Sequence, residues 1–269
     1  MLIAEAVRLR KLRFTGGEPL LRRDLSSTIR MFAQELPETE LCLTTNGLLL
    51  SEQAFDLRAA GLDRVNVSFD TTDAERFSEL TGGGDVLRVE EGLRAANQAG
   101  FAQLKINSVL IRSYNWHHLP NLVRLASKYH ATIRFIELMP FGQAATLYRT
   151  EFVSGREALN ALSQNFGVRG PLTSSGTAEE YLLKDGDREC KVGFITPVSE
   201  PFCSGCDRLR LDSRGWVYPC LREEPGIDLR KLVEAKGREM AKSTLIELFQ
   251  QKQLPSKGWT SRPMITIGG

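Results

Sequence analysis

The stretch KLRFTGGEPL, residues 11–20, contains the unit on which the fold depends. Residues 11–15 predict a strand, and the pair Gly16-Gly17 predicts the turn that follows it. A helix is then expected over about residues 24–36. A strand, a short turn and a helix in this order are the beginning of a β–α–β unit, which favours a parallel sheet.

The same unit recurs four more times along the chain. Further strands are predicted over 41–45, 64–70, 103–111 and 131–139. Helices are expected over 51–60, up to 99 and up to about 129, with Ser51 as a cap, Gly61 and Gly100 as stops and Pro120 near a first turn. Five such steps with short connections predict an α/β protein whose sheet forms an incomplete (βα) partial TIM-type barrel.

Composition limits the classes of protein to which the chain can belong. Its 269 residues are 42% hydrophobic and 25% charged, as in an ordinary globular protein. The formal net charge of +2 argues against binding of nucleic acid through a broad basic field. No apolar run approaches the roughly twenty residues that cross a bilayer, and no signal peptide is expected.

The pattern changes after residue 140, which predicts two domains over 1–140 and 141–269. In the second, a helix is expected over 155–166, followed by a Gly/Ser/Thr-rich stretch over 170–176 and short strands. Two helices are predicted near 229–235 and 242–252.

Polar residues stand at the carboxyl ends of all five predicted strands. Any one of these loops is explained by ordinary turn formation, but five on one rim predict a shared pocket. The five segments are Thr15-Gly16-Gly17-Glu18-Pro19, Thr44-Thr45-Asn46-Gly47, Ser68-Phe69-Asp70, Lys105-Ile106-Asn107 and Glu137-Leu138-Met139-Pro140.

Three cysteines near the C-terminus have the spacing of metal ligands. Cys203 and Cys206 form a C-x2-C pair, and residues 212–215 predict a hairpin turn that brings Cys220 back to it. Three thiolates leave one corner of an iron–sulfur cluster open to a substrate. With Cys190 as a fourth ligand, the alternative is a closed zinc site.

The remaining interpretations of the cysteines are less specific. A disulfide is disfavoured because the five cysteines are an odd number and no signal peptide is expected. Cys42, between two leucines, is most simply a buried apolar residue.

Two arginines follow the cysteine pair directly. On a strand, Arg208 and Arg210 share a face beside the metal and can clamp a phosphate bidentately. This predicts an anionic ligand, a nucleotide above all, and the alternative is a pair of solvated strand arginines.

Several segments resemble a known family. The Gly-Gly-Glu-Pro loop at residues 16–19 resembles that of radical S-adenosylmethionine (SAM) enzymes. The whole set is similar to the molybdenum cofactor biosynthesis protein A family of GTP 3′,8-cyclases, and covers residues 13–269. The segments are RFTGGEPL (13–20), TTNG (44–47), VNVSFD (65–70), RFIELMP (134–140), FCSGCDRLR (202–210), Cys220-Leu221 and the terminal Gly268-Gly269.

The resemblance implies a role for each matching residue. The SAM site would include Gly17, Ser68 and Met139. The GTP site would include Arg13, Thr44, Lys105, Arg208, Leu209 and Arg210. The ligands of an auxiliary four-iron–four-sulfur cluster would be Cys203, Cys206 and Cys220. Gly268 and Gly269 would enter the active site as catalytic residues, where a residue without a side chain suits close approach.

The resemblance also implies a reaction, cofactors and partners. A 5′-deoxyadenosyl radical, formed from SAM, would take a hydrogen from the ribose of GTP to give (8S)-3′,8-cyclo-7,8-dihydroguanosine 5′-triphosphate. This is a lyase reaction. GTP and a second copy of the chain are the expected partners, with neither nucleic acid nor membrane. The expected location is the cytoplasm of a bacterium or the mitochondrial matrix of a eukaryote.

One feature of the family pattern is missing from the sequence. The C-x3-C-x2-C loop that holds the family's first cluster does not occur. The expectation is an N-terminally truncated cyclase, inactive in this form, with the second cluster present only if the missing segment is restored. The alternative is a non-catalytic module that binds a nucleotide or an iron–sulfur cluster.

Overall fold

The computed structural model describes residues 1–142, 144–172, 176–221 and 226–251. The helices are α1 (Leu2–Ala6), α2 (Leu25–Glu35), α3 (Leu50–Ala59), α4 (Ala74–Thr81), α5 (Val86–Gln98), α6 (Arg112–Asn115), α7 (Leu119–Lys128), α8 (Ala144–Glu151), α9 (Gly155–Ser163) and α10 (Leu229–Gln251). The strands are β1 (Lys11–Phe14), β2 (Glu40–Thr45), β3 (Arg64–Ser68), β4 (Lys105–Leu110), β5 (Thr132–Glu137), β6 (Gly167–Leu172), β7 (Glu179–Asp185), β8 (Arg188–Ile195), β9 (Arg210–Leu211), β10 (Trp216–Tyr218) and β11 (Ile227–Asp228).

The strands β1 to β8 form one sheet in the order β1-β2-β3-β4-β5-β8-β7-β6. The first six strands in this order are parallel, whereas β7 and β6 are antiparallel additions. All five predicted β–α steps are present, which confirms the α/β fold with a parallel sheet of the partial-barrel type. In β–α units of this kind, ligands bind at the carboxyl ends of the strands.

The two faces of the sheet differ sharply in polarity. Because side chains alternate along a strand, one face packs Leu43, Val67, Ile106, Phe135 and other apolar residues against the helices in a single core. The opposite face of β1 to β5 carries charged and amide side chains, and we call it the polar face. The polar face is therefore the side of the sheet on which a polar ligand is expected.

Most of the predicted helix boundaries are confirmed. Gly61 and Gly100 take positive φ values of 101° and 77° directly after α3 and α5, where glycine ends a helix most readily. Pro120 lies in the first turn of α7. The cap assigned to Ser51 is wrong, because α3 begins at Leu50 and Leu49 occupies the cap position without a side-chain hydrogen bond.

The C-terminal region holds a second, three-stranded sheet in the order β11-β10-β9. The helix α10 is interrupted at Gly237, where φ is 78° and ψ is 170°, so the two predicted helices are present as two segments. The Gly/Ser/Thr-rich stretch begins inside β6 rather than in a loop. Gly268 and Gly269 lie outside the described residues. The division at residue 140 stays a prediction.

Across the described ranges, none of the helices combines the length and the apolar composition that crossing a bilayer requires.

Candidate functional site

The polar face is organised in rows that run across the strands. Arg13 is paired in register with Cys42, and Cys42 with Arg64. The next row joins Thr44 to Asn66 and Asn66 to Lys105. A third row toward the carboxyl edge joins Ser68 to Asn107 and Asn107 to Arg134. Parallel register therefore brings the predicted Arg13, Thr44, Lys105 and Ser68 onto one surface.

Arg13 and Thr44, predicted separately, are in direct contact. The Arg13 guanidinium donates a hydrogen bond from Nη1 to Thr44 Oγ1 over 3.1 Å. Asn66 Nδ2 donates to the same hydroxyl over 3.4 Å. The Arg13 side chain is open to solvent, yet the surrounding protein lowers its pKa by burial, with Arg64 and Arg208 acting in the same direction. A side chain that is exposed to solvent and yet surrounded by protein on several sides is typical of a concave surface.

The polar face concentrates positive charge. Burial, with Arg134 and Arg64 acting in the same direction, lowers the pKa of Lys105 to about 8. Burial likewise lowers the pKa of Arg134 to about 10, with Arg64 and Arg13 contributing. Cations that are partly desolvated and lie near one another are destabilised by their own repulsion, so a bound anion would relieve the cost.

Four polar atoms on the polar face are buried without a hydrogen-bond partner among the described residues. They are Arg64 Nε, Asn66 Oδ1, Asn107 Oδ1 and Arg134 Nε. Buried polar atoms are nearly always paired in folded proteins, and such a group of orphans is expected where a ligand completes the hydrogen bonding. Asn107 lies in one of the five segments predicted to line a shared pocket, whereas Arg64, Asn66 and Arg134 were not predicted as site residues. Arg64 and Asn66 lie two residues apart on β3, as Lys105 and Asn107 do on β4. Polar side chains at every second position of a strand share one face, and this spacing is the sequence signal that could have identified them.

The Gly-Gly-Glu-Pro loop is held to the neighbouring strand end by its glutamate. Glu18 Oε1 accepts hydrogen bonds from Thr45 Oγ1 over 2.7 Å and from the Leu20 amide over 3.0 Å. Its Oε2 accepts from the Asn46 amide over 2.8 Å. The carboxylate therefore fixes the loop that exposes Gly17 at the same edge as the end of β2.

The other two predicted SAM residues also lie at the carboxyl edge. Ser68 is the last residue of β3 and is exposed, whereas Met139 is partly buried two residues after β5. Asp70, just beyond Ser68, accepts a hydrogen bond from the Val109 amide over 2.7 Å, and burial raises its pKa to about 6. Asp70 thus links the ends of β3 and β4.

The region over residues 203–220, which carries Cys203, Cys206 and Cys220, has the predicted hairpin form. Cys203–Gly205 is a 3₁₀ turn in which the Cys206 amide donates to the Cys203 carbonyl over 3.2 Å. β9 and β10 pair antiparallel, with Arg210 opposite Tyr218. The predicted turn at 212–215 is confirmed by a hydrogen bond from the Gly215 amide to the Asp212 carbonyl over 3.0 Å. Cys220 follows two residues after β10.

The donor set of the hairpin fits an iron–sulfur cluster in chemical type. Cys203, Cys206 and Cys220 are partly buried thiols that form no disulfide. The thiols of Cys206 and Cys220 both act on the pKa of Arg210, which places two of the three beside one guanidinium. Within the described ranges, however, no three Cys, His, Asp or Glu side chains lie close enough to form a ready-made metal site. Gathering the trio would therefore accompany metal binding.

Cys190 does not belong to this group. It lies on the apolar face of β8, within the core that also contains Val192 and Phe194. Burial raises the pKa of its thiol to about 12, which disfavours the thiolate that a metal needs. The alternative of a zinc site with Cys190 as fourth ligand is therefore wrong.

Cys42 is buried as predicted, but its surroundings are not apolar. It lies on the polar face between Arg13 and Arg64, and Arg64 Nη2 donates to its sulfur over 3.2 Å. Both neighbours of Cys42 in the sequence are leucines that face the core, so the local pattern did not indicate that Cys42 faces the opposite side.

The prediction that Arg208 and Arg210 share one strand is wrong. β9 begins at Arg210, and Arg208 and Leu209 precede it. Arg208 donates from Nη2 to Thr177 Oγ1 over 2.7 Å, and its guanidinium lies 5.6 Å from the centre of the Phe202 ring. Burial lowers the pKa of Arg210, and the nearby Arg208 lowers it further, so the two cations still belong to one electrostatic group.

The same segment reaches across the polar face. Arg10, which precedes β1, donates to Asp207 Oδ2 over 2.8 Å, while Arg208 contacts Thr177, which precedes β7. These two strands lie at distant positions in the sheet order, so the sheet is curled and the hairpin spans its opening. Arg208 lowers the pKa of both Arg13 and Arg134. The cations of the polar face and of the hairpin therefore form one electrostatic group at the opening of the curled sheet, which we call the cationic cavity.

Two family models match the chain in succession. The Radical SAM superfamily model matches residues 1–126, and the Molybdenum Cofactor Synthesis C model matches residues 131–257. The first ends before β5 and the second includes the cysteines and both arginines of the hairpin.

Curated relatives match nearly the whole chain. A GTP 3′,8-cyclase from Clostridium botulinum (strain Langeland) is 35% identical over 274 residues, which cover 99% of this chain and 83% of that protein. A GTP 3′,8-cyclase from Pelotomaculum thermopropionicum is 39% identical over 269 residues, covering 97% and 82%. Among solved structures, coproporphyrinogen III oxidase from Escherichia coli, a radical SAM enzyme, covers 94% of this chain and 70% of its own at 13% identity and a TM-score of 0.47.

Proposed function

This chain belongs to the GTP 3′,8-cyclase family of radical SAM enzymes, and we propose that its cationic cavity binds GTP for the cyclisation reaction of molybdenum cofactor biosynthesis. The observation that carries the proposal is the convergence of Arg208 and Arg210 with Arg13, Lys105 and Arg134 on one cavity. A nucleoside triphosphate is the ligand whose charge matches such a group.

The four buried atoms without a hydrogen-bond partner would make two kinds of contact with a ligand. Arg64 Nε and Arg134 Nε are donors, which suits phosphate oxygens. Asn66 Oδ1 and Asn107 Oδ1 are acceptors, which suits ribose hydroxyls or base amino groups. A nucleotide offers both kinds of group, phosphate oxygens as acceptors and ribose hydroxyls or base amino groups as donors.

The cofactors of the radical SAM family are a four-iron–four-sulfur cluster and SAM. When bound, they supply one-electron chemistry that removes a hydrogen atom from a substrate. We propose that Gly17, Ser68 and Met139 contact SAM at the carboxyl edge of the sheet, where the loop held by Glu18 exposes Gly17. Because the sequence contains no C-x3-C-x2-C loop, we assign no residue of this chain to the radical-generating cluster.

We further propose that Cys203, Cys206 and Cys220 hold an auxiliary cluster beside the nucleotide. The thiols of Cys206 and Cys220 lie next to Arg210, so a ligand on that guanidinium would lie beside the metal. Roles for Leu209, Gly268 and Gly269 and a homodimer are proposals that rest on the family resemblance. The division into domains over 1–140 and 141–269 is a proposal that rests on the change of sequence pattern, and the lack of a nucleic-acid partner is one that rests on the small net charge.

The proposal is tested by comparing ligands on the reconstituted protein. Isothermal titration with GTP, guanosine and ATP separates recognition of phosphates from recognition of the base. We expect GTP to bind more tightly than either, guanosine to lose the phosphate contacts and ATP the contacts made by guanine. Equal affinity for GTP and guanosine would overturn the assignment of the cationic cavity to the triphosphate.

A further inference from the structure

Glu137 is a carboxylate at the end of β5 that none of the roles above uses. Its side chain is fully buried, and it accepts four hydrogen bonds. Oε1 accepts from the Gly155 amide over 3.1 Å and from the Ser199 hydroxyl. Oε2 accepts from the amides of Ser199 and Val198 over 2.9 Å and 3.1 Å. Among the described residues, no lysine or arginine forms an ion pair with it.

These four donors come from two separate elements. Gly155 is the first residue of α9, whereas Val198 and Ser199 belong to the segment that leaves β8 and reaches Cys203 four residues later. One carboxylate therefore joins the carboxyl end of β5, the start of α9 and the beginning of the segment that leads to Cys203.

The packing around this junction leaves little freedom for a shift. A Cβ atom on Gly155 would lie 2.7 Å from Thr196 Cγ2 and 3.3 Å from Phe194 Cβ, so only glycine allows α9 to approach the end of β8 this closely. With α9 and β5 both fixed, the bonds of Glu137 to residues 198 and 199 determine where the next residues of the segment can go.

We propose that Glu137 is a positioning residue that holds the cysteine-bearing segment, defined as residues 197–206, on the carboxyl edge of the sheet. The same strand end continues to Met139, so the carboxylate fixes the distance between the proposed SAM edge and the proposed cluster ligands. The positioning itself rests on the hydrogen bonds, and its consequence for the cluster rests on the proposed function.

Even the isosteric residue, glutamine, cannot replace this carboxylate. Each of its oxygens accepts two hydrogen bonds, at least one of them from a backbone amide. In Glu137→Gln, one oxygen becomes an amino group that points its hydrogens at an N–H donor. Buried donors left without an acceptor are costly, so the segment is expected to move away while the sheet stays formed.

Hydrogen–deuterium exchange of the whole chain, followed by mass spectrometry, tests the proposal in Glu137→Gln, Ser199→Ala and the parent. We expect amides of residues 196–206 to exchange at least about tenfold faster in Glu137→Gln, and by a smaller factor in Ser199→Ala. Peptides from α3 and α5 should be unchanged. The matched control is Glu90→Gln, which removes a carboxylate that accepts from Tyr129 and Lys128 on the helical side.

Two outcomes would overturn the proposal. One is unchanged exchange at residues 196–206, and the other is faster exchange throughout the chain, which a purely structural role would produce. If Glu137→Gln does not fold, Ser199→Ala decides between these outcomes, since it removes only the hydroxyl contact. Iron binding of the same variants at limiting iron is the second readout. Local loosening with unchanged iron binding would uphold the positioning role and contradict the cluster assignment instead.

Discussion

At the scale of single residues, the cationic cavity carries a repulsion that its ligand must balance. Arg134 is close enough to Lys105 to lower the pKa of its amine, and Arg64 lowers the pKa of both. Glu180 acts on both in the opposite direction, but one carboxylate does not neutralise them. Each cation is therefore held at an electrostatic cost that a triphosphate would reverse.

Lys105 should make GTP binding depend on pH. Its pKa in the free protein is about 8, and a bound triphosphate raises it, so below pH 8 the amine is charged in both states and affinity is level. Above pH 8, binding must take up a proton, and affinity should fall by up to about tenfold per pH unit. Titration at pH 7, 8 and 9 measures this fall.

The control for that experiment is Lys105→Arg, which keeps its charge through this range. The variant should bind GTP with little dependence on pH between 8 and 9, apart from any change in the nucleotide itself. The same decline in both proteins would show that Lys105 does not face the phosphates.

The residues of the site divide into those the sequence reveals and those it hides. Arg13, Thr44 and Lys105 come from segments that resemble the family, and Arg13 does contact Thr44. Asn66 and Arg134 lie in similar segments but were passed over, because only the register between neighbouring strands shows that they share a face with Lys105. Cys42 was misread for the same reason.

At the scale of elements, the hairpin of β9 and β10 and the residues next to it add Arg210 and the proposed cluster ligands to the cationic cavity. Its turn was predictable from Asp212 to Gly215, since glycine there adopts a φ of 91°. The position of Arg208 was not, because its contact with Thr177 depends on where β7 lies in the sheet. The cap predicted at Ser51 failed because packing of Leu50 in the core fixed the start of α3 one residue earlier.

The hairpin should bind one cluster through its three cysteines. Anaerobic reconstitution of the parent is expected to give about four irons per chain, and Cys220→Ser should lose more than half of the iron and of the visible absorbance. Cys190→Ala is the control, because Cys190 lies on the opposite face. Zinc in place of iron, or equal loss in both variants, would contradict the assignment.

The contact between α3 and α5 supports the loop after β2. A Cβ atom on Gly92 would lie 2.7 Å from the carbonyl oxygen of Gly47 and 3.0 Å from Leu50 Cβ. We expect Gly92→Ala to destabilise the fold by about 1–2 kcal/mol, since overpacking exceeds the gain in helix propensity. Urea unfolding measures the loss. Arg94→Ala, exposed on the same helix, should change little, and a Gly92→Ala variant as stable as the parent would show that the helices can move apart.

At the scale of the whole molecule, the two matched families meet in one sheet. β5 and β8 are adjacent and parallel, although the chain between them forms α8 and α9 and then β6 and β7, which extend the same sheet beyond β8 as antiparallel strands. The parallel order of β1 to β5 was predictable from the alternation of strands and helices. The return of β8 to the same sheet was not, because it depends on long-range pairing that local patterns do not encode.

This architecture makes the nucleotide site a joint product of both regions. The sheet contributes Arg134 and the hairpin contributes Arg210, and we propose that both act on the same triphosphate. Titration of GTP into the reconstituted parent, Arg134→Gln and Arg210→Ala tests that claim most directly, with Arg94→Gln as a control on the outer helix. We predict that each of the first two variants weakens binding by about ten- to a hundred-fold and that the control binds like the parent. Unchanged affinity in either Arg134→Gln or Arg210→Ala would show that the sheet and the hairpin do not form one site.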